Sequence, residues 1–516
     1  MHNYSDYFPI RSTDDKLDVA PVLYEGLRNG GERTLLTFDG VPMSFTQMAQ
    51  RVAALQRWLA ACGIESGDRV ALMLDNGPEH IALIYALILS GVIWIPVNTR
   101  LKGPGVSYLI GHCKPKLFIA QREFSESLQE LEEARNNLIW LDDIVPAAAT
   151  LNDLVLASID YQDTLCLIYT SGTTGAPKGV VFTHRMMRIA SEATVLVADA
   201  RDGDRMFVWE PLCHIGGAQM LLVPFLKTVE LHIVAKFSAR KFWSQVTAVG
   251  ATHLHYLGGI LDILMQMPPE QNLDRNPIRI AWGAGISAQS WGAIQHRMGF
   301  KLRECYGMTE CSSFATVNTN GKPGSIGRVL PWLKLELLDE EGHPVPTGEI
   351  GQIVLSSDID GVFFSEYLNN PEATAATVRN GKLHTGDSAR LDHDGDLYFV
   401  GRRTDSMRVR GENVSAWEIE RVFATHPAVA ASAAVGVGSE IGEQEILLYV
   451  QFNPGVRPDF EALAEWAESR LASFQLPRYF MQTAQFETTL SERIKKHLLA
   501  RKIDHAWDRF AHVSTQ

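Results

Sequence analysis

The rhythm of apolar and polar positions changes several times over the first hundred residues, and each change marks an element. Arg33 to Phe38 reads as a strand, and Ser44 caps an amphipathic helix, MAQRVAALQRWLAACG, that stops at Gly63. GDRVALML is the next strand. Ile81 to Val97, IALIYALILSGVIWIPV, is almost wholly apolar and approaches the length of a membrane span. Pro78 stands where a helix would start, Gly91 interrupts the run and Pro96 cannot continue it. The run therefore reads as a buried helix to about Ser90 and then a buried strand, VIWIP, rather than a span. Apolar strands alternating with helices predict layered α/β sheets covered on both faces.

The alternation continues with strands at DLVLA (153–157), VELHIV (229–234) and IRIAWGAG (278–285). From about Leu335 the pattern shifts to short strands with turn punctuation, in KLELLDEEGHPVPTGEIGQIVL and around Asp394-Gly395 in LDHDGDLYFVGR. After Gly401 a compact α/β pattern of its own follows. It has a helix near 415–425, strands AVAASAAVGVG and EILLYVQF, and a helix near 459–473. The fold class is α/β: a large N-terminal domain of layered sheets with a small β-structured subdomain, then a small α/β C-terminal domain. At 516 residues, more than one core is required.

Composition removes several function classes. Basic residues number 47 against 60 acidic, a net −13 without a long basic run, which argues against nucleic acid or an anionic membrane surface as partner. Six cysteines are scattered with no CxxC pair, which fits a reducing, cytoplasmic setting better than a disulfide or zinc framework. The first residues, MHNYSDYFPIRSTDDK, lack the apolar stretch of a secretory signal.

The densest chemistry lies at Tyr169 to Gly179, YTSGTTGAPKG, directly after the apolar LCLI. Three glycines, five hydroxyl side chains and Lys178 occupy eleven residues. Glycine lets backbone N–H groups turn toward an anion, hydroxyls add donors, and the lysine adds charge. Gly172 and Gly175 are three apart and no Gly-Lys-Ser/Thr follows, so this is not a Walker A loop. Taken alone, such a cluster is more often a surface turn.

The run resembles the phosphate-loop signature of the adenylate-forming superfamily, which comprises acyl-CoA synthetases, luciferases and peptide-synthetase adenylation domains. Further matching motifs follow in the family's order over roughly residues 160–500. The resemblance implies ATP-dependent conversion of a carboxylic acid to acyl-AMP, then thioester formation with coenzyme A, with Mg²⁺ as cofactor. It implies that Thr170, Ser171, Gly172, Thr173, Thr174, Gly175 and Lys178 cradle phosphate. Tyr306, Gly307, Met308, Thr309 and Glu310 (YGMTE) resemble the second ATP motif: Tyr306 on adenine, Thr309 at the α-phosphate, and Glu310 with Thr174 on the metal. Gly283, Ala284 and Gly285 resemble the adenine-side turn, and Asp387, in HTGD, with Arg402 the ribose contacts. For each of these a bland alternative exists: a capped helix start, a β-turn, a solvated arginine.

His214, in PLCHIGG, corresponds to the histidine near the carboxylate being activated. Gly411 and Glu412 match the segment that lines the pantetheine tunnel. The family's domain boundary would divide the chain into 1–403 and a mobile 404–516, with Thr404 at the pivot where Asp or Lys is usual. Near the end, LSERIKKHLL places Glu492 and Arg493 where the family has Gly and the adenylating Lys. Arg493 is read as taking the lysine's part. Recruitment of Lys495 or Lys496, and impaired adenylation with thioester transfer retained, are the alternatives.

Similarity outside the motifs points toward the branch of carnitine and crotonobetaine CoA ligases without fixing the acid. Trp209, His214, Tyr256, Trp282 and Gly307 are the predicted acyl pocket, with Cys213 and His255 beside them. The three aromatics read as plain apolar walls before an aromatic cage for a quaternary ammonium. The acceptor is coenzyme A or a carrier-protein pantetheine, and a homodimer is compatible with either.

Overall fold

The computed structural model describes residues 4–9, 15–101, 103–128, 137–170, 177–268, 276–402, 406–409, 412–438, 444–471, 473, 475–488 and 494–511. The chain forms two compact units. One comprises Met1–Thr170, Pro177–Lys334 and Leu355–Leu383; the other comprises Ser171–Ala176, Leu335–Val354 and His384–Gln516.

The first unit contains two mainly parallel sheets. A six-stranded sheet runs in the order Leu138–Trp140, Leu117–Ala120, Arg69–Met73, Ile93–Pro96, Thr164–Thr170, Lys178–Thr183. Only its last pair is antiparallel. A nine-stranded sheet runs Arg328–Val329, Ser313–Val317, Lys301–Met308, Ile280–Ala284, His253–Leu257, Arg205–Val208, Glu230–Ile233, Thr34–Phe38, Val41–Ser44. Its six central strands are parallel, and antiparallel pairs close both ends.

Local chemistry explains the covering helices. Ser44 and Gln47 form a reciprocal capping box that starts helix Phe45–Ala61, whose buried face carries Phe45, Met48, Val52, Leu55 and Leu59. Helix Pro78–Leu89 buries every residue from His80 to Leu89, which accounts for its unbroken apolar sequence. Twelve residues rise only about 18 Å, short of a bilayer core. Among the described residues no helix is long and apolar enough to cross a membrane.

One expected strand is absent. Residues 153–157, DLVLA, leave a short 3-10 turn as irregular chain. The Gln56 side chain takes both backbone groups of Val155, donating to its carbonyl (2.9 Å) and accepting from its N–H (3.1 Å). The strand that enters the phosphate loop is Thr164–Thr170, built on the apolar LCLI, and Leu165, Cys166, Leu167 and Ile168 are all buried.

Strands Lys334–Leu338, Ile350–Ser356, Lys382–Leu391 and Leu397–Arg402, most of whose residues belong to the second unit, follow one another in a sheet. Beyond them, Val429–Gly438, Gln444–Phe452, Tyr479–Gln482 and Trp507–Asp508 form a four-stranded sheet. Its two faces sort by alternation. Ala434, Ile446, Leu448, Val450 and Phe480 join helices Ala416–Phe423 and Phe460–Glu468 in one core. Ala433, Val435, Leu447, Tyr449 and Tyr479 belong to another.

Candidate functional site

The stem of the phosphate loop is a short antiparallel ladder. Thr170 pairs with Lys178, and Tyr169 with Gly179. Ser171, Gly172, Thr173, Thr174 and Gly175 lie outside the described residues. Both flanks of the stem are held by helix Gly103–Cys113. The Tyr169 hydroxyl and His112 Nδ1 share a hydrogen bond (2.7 Å), and the Tyr108 hydroxyl donates to the Pro177 carbonyl (3.1 Å). The rings of Tyr108 and His112 stack at 5.7 Å. Burial, then Arg69, holds the His112 imidazole below its ordinary pKa.

The far side of the stem carries a third segment. Leu368 N–H donates to the Gly179 carbonyl (2.8 Å), and Tyr367 bridges Val180. Lys178 Nζ lies 4.8 Å from the centroid of the Tyr367 ring. The Tyr367 hydroxyl donates to Glu310 Oε1 (2.7 Å), and Phe364 N–H donates to the Glu310 carbonyl (3.0 Å). Lys178, Tyr367 and Glu310, 189 positions apart at the extremes, thus meet. A buried carboxylate fixed by a hydroxyl is an all-oxygen donor, which suits a hard divalent ion.

Thr309 and Glu310 are buried on a single 3-10 turn, Thr309–Cys311, after strand Lys301–Met308. The chain reverses through Ser312 and Ser313, both non-glycine residues at positive φ (56° and 78°). Ser312 is secured by its hydroxyl, which donates to the Val362 carbonyl (2.5 Å). Tyr306 is buried and pairs with Thr316. A Cβ on Gly307 would sit 1.7 Å from the Ser313 carbonyl oxygen, so no other residue fits there without moving the neighbouring strand.

The Gly283-Ala284-Gly285 turn ends strand Ile280–Ala284, and a Cβ on Gly283 would meet the Tyr256 carbonyl at 1.8 Å. Glu304, which the motifs did not single out, organises this turn. One carboxylate oxygen accepts from Gly285 N–H (2.6 Å) and Ile286 N–H (3.2 Å), the other from the Tyr256 hydroxyl (2.7 Å). Its position two residues before Tyr306, in the same strand phase, was the available signal.

The predicted acyl residues do not gather into a cage. Tyr256 is fully buried, tied to Glu304, and belongs to the core cluster that also packs Trp209. Trp282 is fully buried too, but it is paired with His255 in register and packs against the His253 and His255 rings. Tyr256 pairs with Gly283, one step along, so the two aromatics point to opposite faces of the sheet. Trp209 is half-buried and donates its indole N–H to the His255 carbonyl (2.7 Å).

Polar groups around His214 make a second network. Asn98 Nδ2 donates to His214 Nε2 (3.4 Å), and Asn76 receives Leu212 N–H (3.1 Å) while donating to the Glu210 carbonyl (2.8 Å). The His255 ring donates from Nδ1 to the Glu210 carboxylate, both buried. Glu210 also fills the space beside Gly216, where a Cβ would fall 2.7 Å from its Oε2. Burial lowers the His214 pKa, partly offset by Glu210 and reinforced by Arg100. Burial pushes the Cys213 thiol up to about 12, which makes it a poor nucleophile.

In the second unit, Asp387 is buried and lies opposite Arg402 in the antiparallel ladder. Thr385 Oγ1 accepts from Asp387 N–H (3.1 Å) and donates to the Ile353 carbonyl (2.8 Å), around Gly386 at φ 75°. Glu412 pairs with Val409. Thr404, Gly411, Glu492 and Arg493 lie outside the described residues. Lys496 Nζ is 2.8 Å from Glu420 Oε1, and Lys495 Nζ is 3.9 Å from Glu487 Oε2.

Comparison with known proteins gives this geometry its class. The family described as AMP-binding enzyme matches residues 24–367, and the AMP-binding enzyme C-terminal domain matches residues 418–493. The chain belongs to the AMP-binding enzyme family. A crotonobetaine/carnitine–CoA ligase of Shigella sonnei is 31% identical over 462 residues, spanning 84% of this chain and 89% of its own. A Salmonella paratyphi B protein of the same name is 30% identical over 500 residues, spanning 91% and 96%. The Bacillus subtilis o-succinylbenzoate CoA synthetase, solved with its acyl-adenylate intermediate, superposes with a TM-score of 0.83 at 24% identity, covering 94% of this chain and 99% of that one. That likeness establishes the α/β fold with a smaller β-containing C-terminal region.

Proposed function

We propose that this protein is an AMP-forming acid–thiol ligase acting on a small carboxylic acid and coenzyme A in the cytoplasm. A carboxylate oxygen of the acid attacks the α-phosphorus of ATP and pyrophosphate leaves; the thiolate of coenzyme A then attacks the acyl-AMP carbonyl and AMP leaves. The observation that carries this reading is the convergence of Lys178, Tyr367 and Glu310 beside the stem of the glycine-rich loop, in a member of the AMP-binding enzyme family. The named activity of the two relatives, CoA ligation, supports the acceptor.

The residues divide the work by charge. Lys178 and the loop hydroxyls neutralise triphosphate and hold it for in-line attack, and Thr309 contacts the α-phosphate. Glu310, with Thr174, holds Mg²⁺, which supplies charge neutralisation on the phosphate oxygens when bound. Tyr306 and the Gly283–Gly285 turn receive adenine, and Asp387 with Arg402 receives ribose. His214 borders the acyl carboxylate. Residues 1–403 bind ATP and acid, and 404–516 bring Arg493 for adenylation, then Gly411 and Glu412 for the thiol. Support for a separate C-terminal part is its own core, built wholly from residue 407 onward. Support for Arg493 over Lys496 is the Lys496–Glu420 ion pair, which Lys496 must break to serve elsewhere.

Pyrophosphate exchange and CoA-dependent thioester formation, run on one acid panel, test the reading. Acid-dependent activity in both is expected, with Arg493→Ala losing exchange far more than CoA attack on supplied acyl-AMP. Equal loss in both half-reactions rejects the role of Arg493, and no exchange with any acid rejects the ligase.

A further inference from the structure

We infer that Tyr367 is a positioning residue that ties the lysine ending the phosphate loop to the carboxylate that receives the metal; this rests on the ligase reading above. Tyr367 lies in SEYLNNP, a segment without glycine, histidine or a paired charge, so nothing in its sequence marks it. Its placement is fixed from several directions. Residues 366–368 lie along strand Lys178–Thr183 through the Leu368 N–H bond to Gly179 and the Val181 N–H bond to the Glu366 carbonyl (3.1 Å). Tyr367 N–H donates to Thr374 Oγ1 (3.0 Å), in the middle of helix Pro371–Thr377. The Phe364 ring packs against its ring at 4.6 Å, and only 4% of Tyr367 is exposed.

Two parts of one side chain then act on two charges. The hydroxyl donates to Glu310 Oε1 and fixes the plane of that carboxylate, the preorganisation that an ion with strict coordination geometry needs. The ring face holds the Lys178 ammonium by cation–π attraction. The ring therefore serves phosphate binding with or without metal, whereas the hydroxyl serves only the metal-dependent part. A residue that merely filled space would not separate these.

The test measures binding of ATP to the full chain by calorimetry, once with Mg²⁺ and once in EDTA. Tyr367→Phe keeps the ring and should weaken the Mg²⁺-dependent affinity about tenfold or more while leaving metal-free affinity unchanged, as loss of a hydrogen bond to a charged group predicts. Tyr367→Leu should weaken both. Equal affinities for Tyr367→Phe and the unaltered chain in Mg²⁺ would overturn the inference while leaving the ligase intact. Failure of the unaltered chain to bind ATP at all would instead overturn the ligase reading. Should either variant not fold, 3-fluorotyrosine at position 367 retains the hydroxyl and the packing. Its fluorine resonance should move with ATP in EDTA, through Lys178, and move further when Mg²⁺ is added, through the hydroxyl and Glu310; a resonance that Mg²⁺ does not move further overturns the inference.

Discussion

Two regions of the first unit differ in how they are built. Around Lys178 and Glu310, side chains from segments centred on 178, 310 and 367 meet through a hydrogen bond and a ring contact, with Tyr367 joining the two motif residues. Around Trp209, Tyr256 and Trp282 the residues nominated as a wall divide between two faces of a sheet, and the polar contacts come from Asn76, Asn98, Glu210 and His255. The contrast has a physical origin. Holding a triphosphate demands one arrangement of donors, whereas walling an acyl chain demands only apolar volume, which many side chains supply.

The strongest attempt to break the comparison is Glu310→Gln. The amide still accepts from Tyr367, so folding should survive, but a formal charge is removed where a metal would sit. Pyrophosphate exchange should fall by about 10²–10³, the scale seen when a preorganised electrostatic contact is lost. A fall of less than tenfold, with the melting temperature unchanged, would place the two regions on the same footing.

The sequence rendered this difference unequally. Strand–helix alternation, the Ser44 cap and the reading of Ile81–Val97 as helix then strand all rest on local periodicity, and the fold follows them. DLVLA misled because the Gln56 amide, a hundred positions upstream, takes the backbone bonds that a ladder would have used. Tyr367 could not be read because its partner strand is made by pairing across some two hundred residues. The cage was undecidable for a related reason. HLHYL and IAWGA each alternate cleanly, but which residue of one stands beside which of the other is set by register, and one step separates Tyr256 from Trp282.

A second experiment sharpens the acyl side. Tyr256→Phe removes a donor from the buried Glu304 carboxylate and should cost about 1–3 kcal/mol of stability in denaturant unfolding. The order of preference among acids should not change. Trp209→Ala, at a half-buried side chain, should reorder the acids instead. If Tyr256→Phe reorders them and Trp209→Ala does not, the assignment of core and wall is inverted.

The smallest effect concerns the loop stem. Tyr169 Oη and His112 Nδ1 share a hydrogen bond in which a bare Nδ1 accepts the phenol proton, whereas the imidazolium reverses the bond and donates to Oη. The contribution of this bond should be about 1 kcal/mol, or roughly fivefold in the ATP concentration needed for half-saturation, with the CoA step untouched. Because burial lowers the His112 pKa, the imidazole stays neutral to a pH below its usual 6.5 and protonates only beneath that. The unaltered chain should therefore lose ATP affinity on acidification below pH 6.5, as the bond reverses and the ring takes on a charge that burial opposes. His112→Phe should already be weakened at pH 7.5 and should lack that additional loss. Measuring ATP affinity for both chains across pH 5 to 8 separates the bond from mere packing: parallel curves mean that the ring alone matters, and converging curves mean that the hydrogen bond holds the stem.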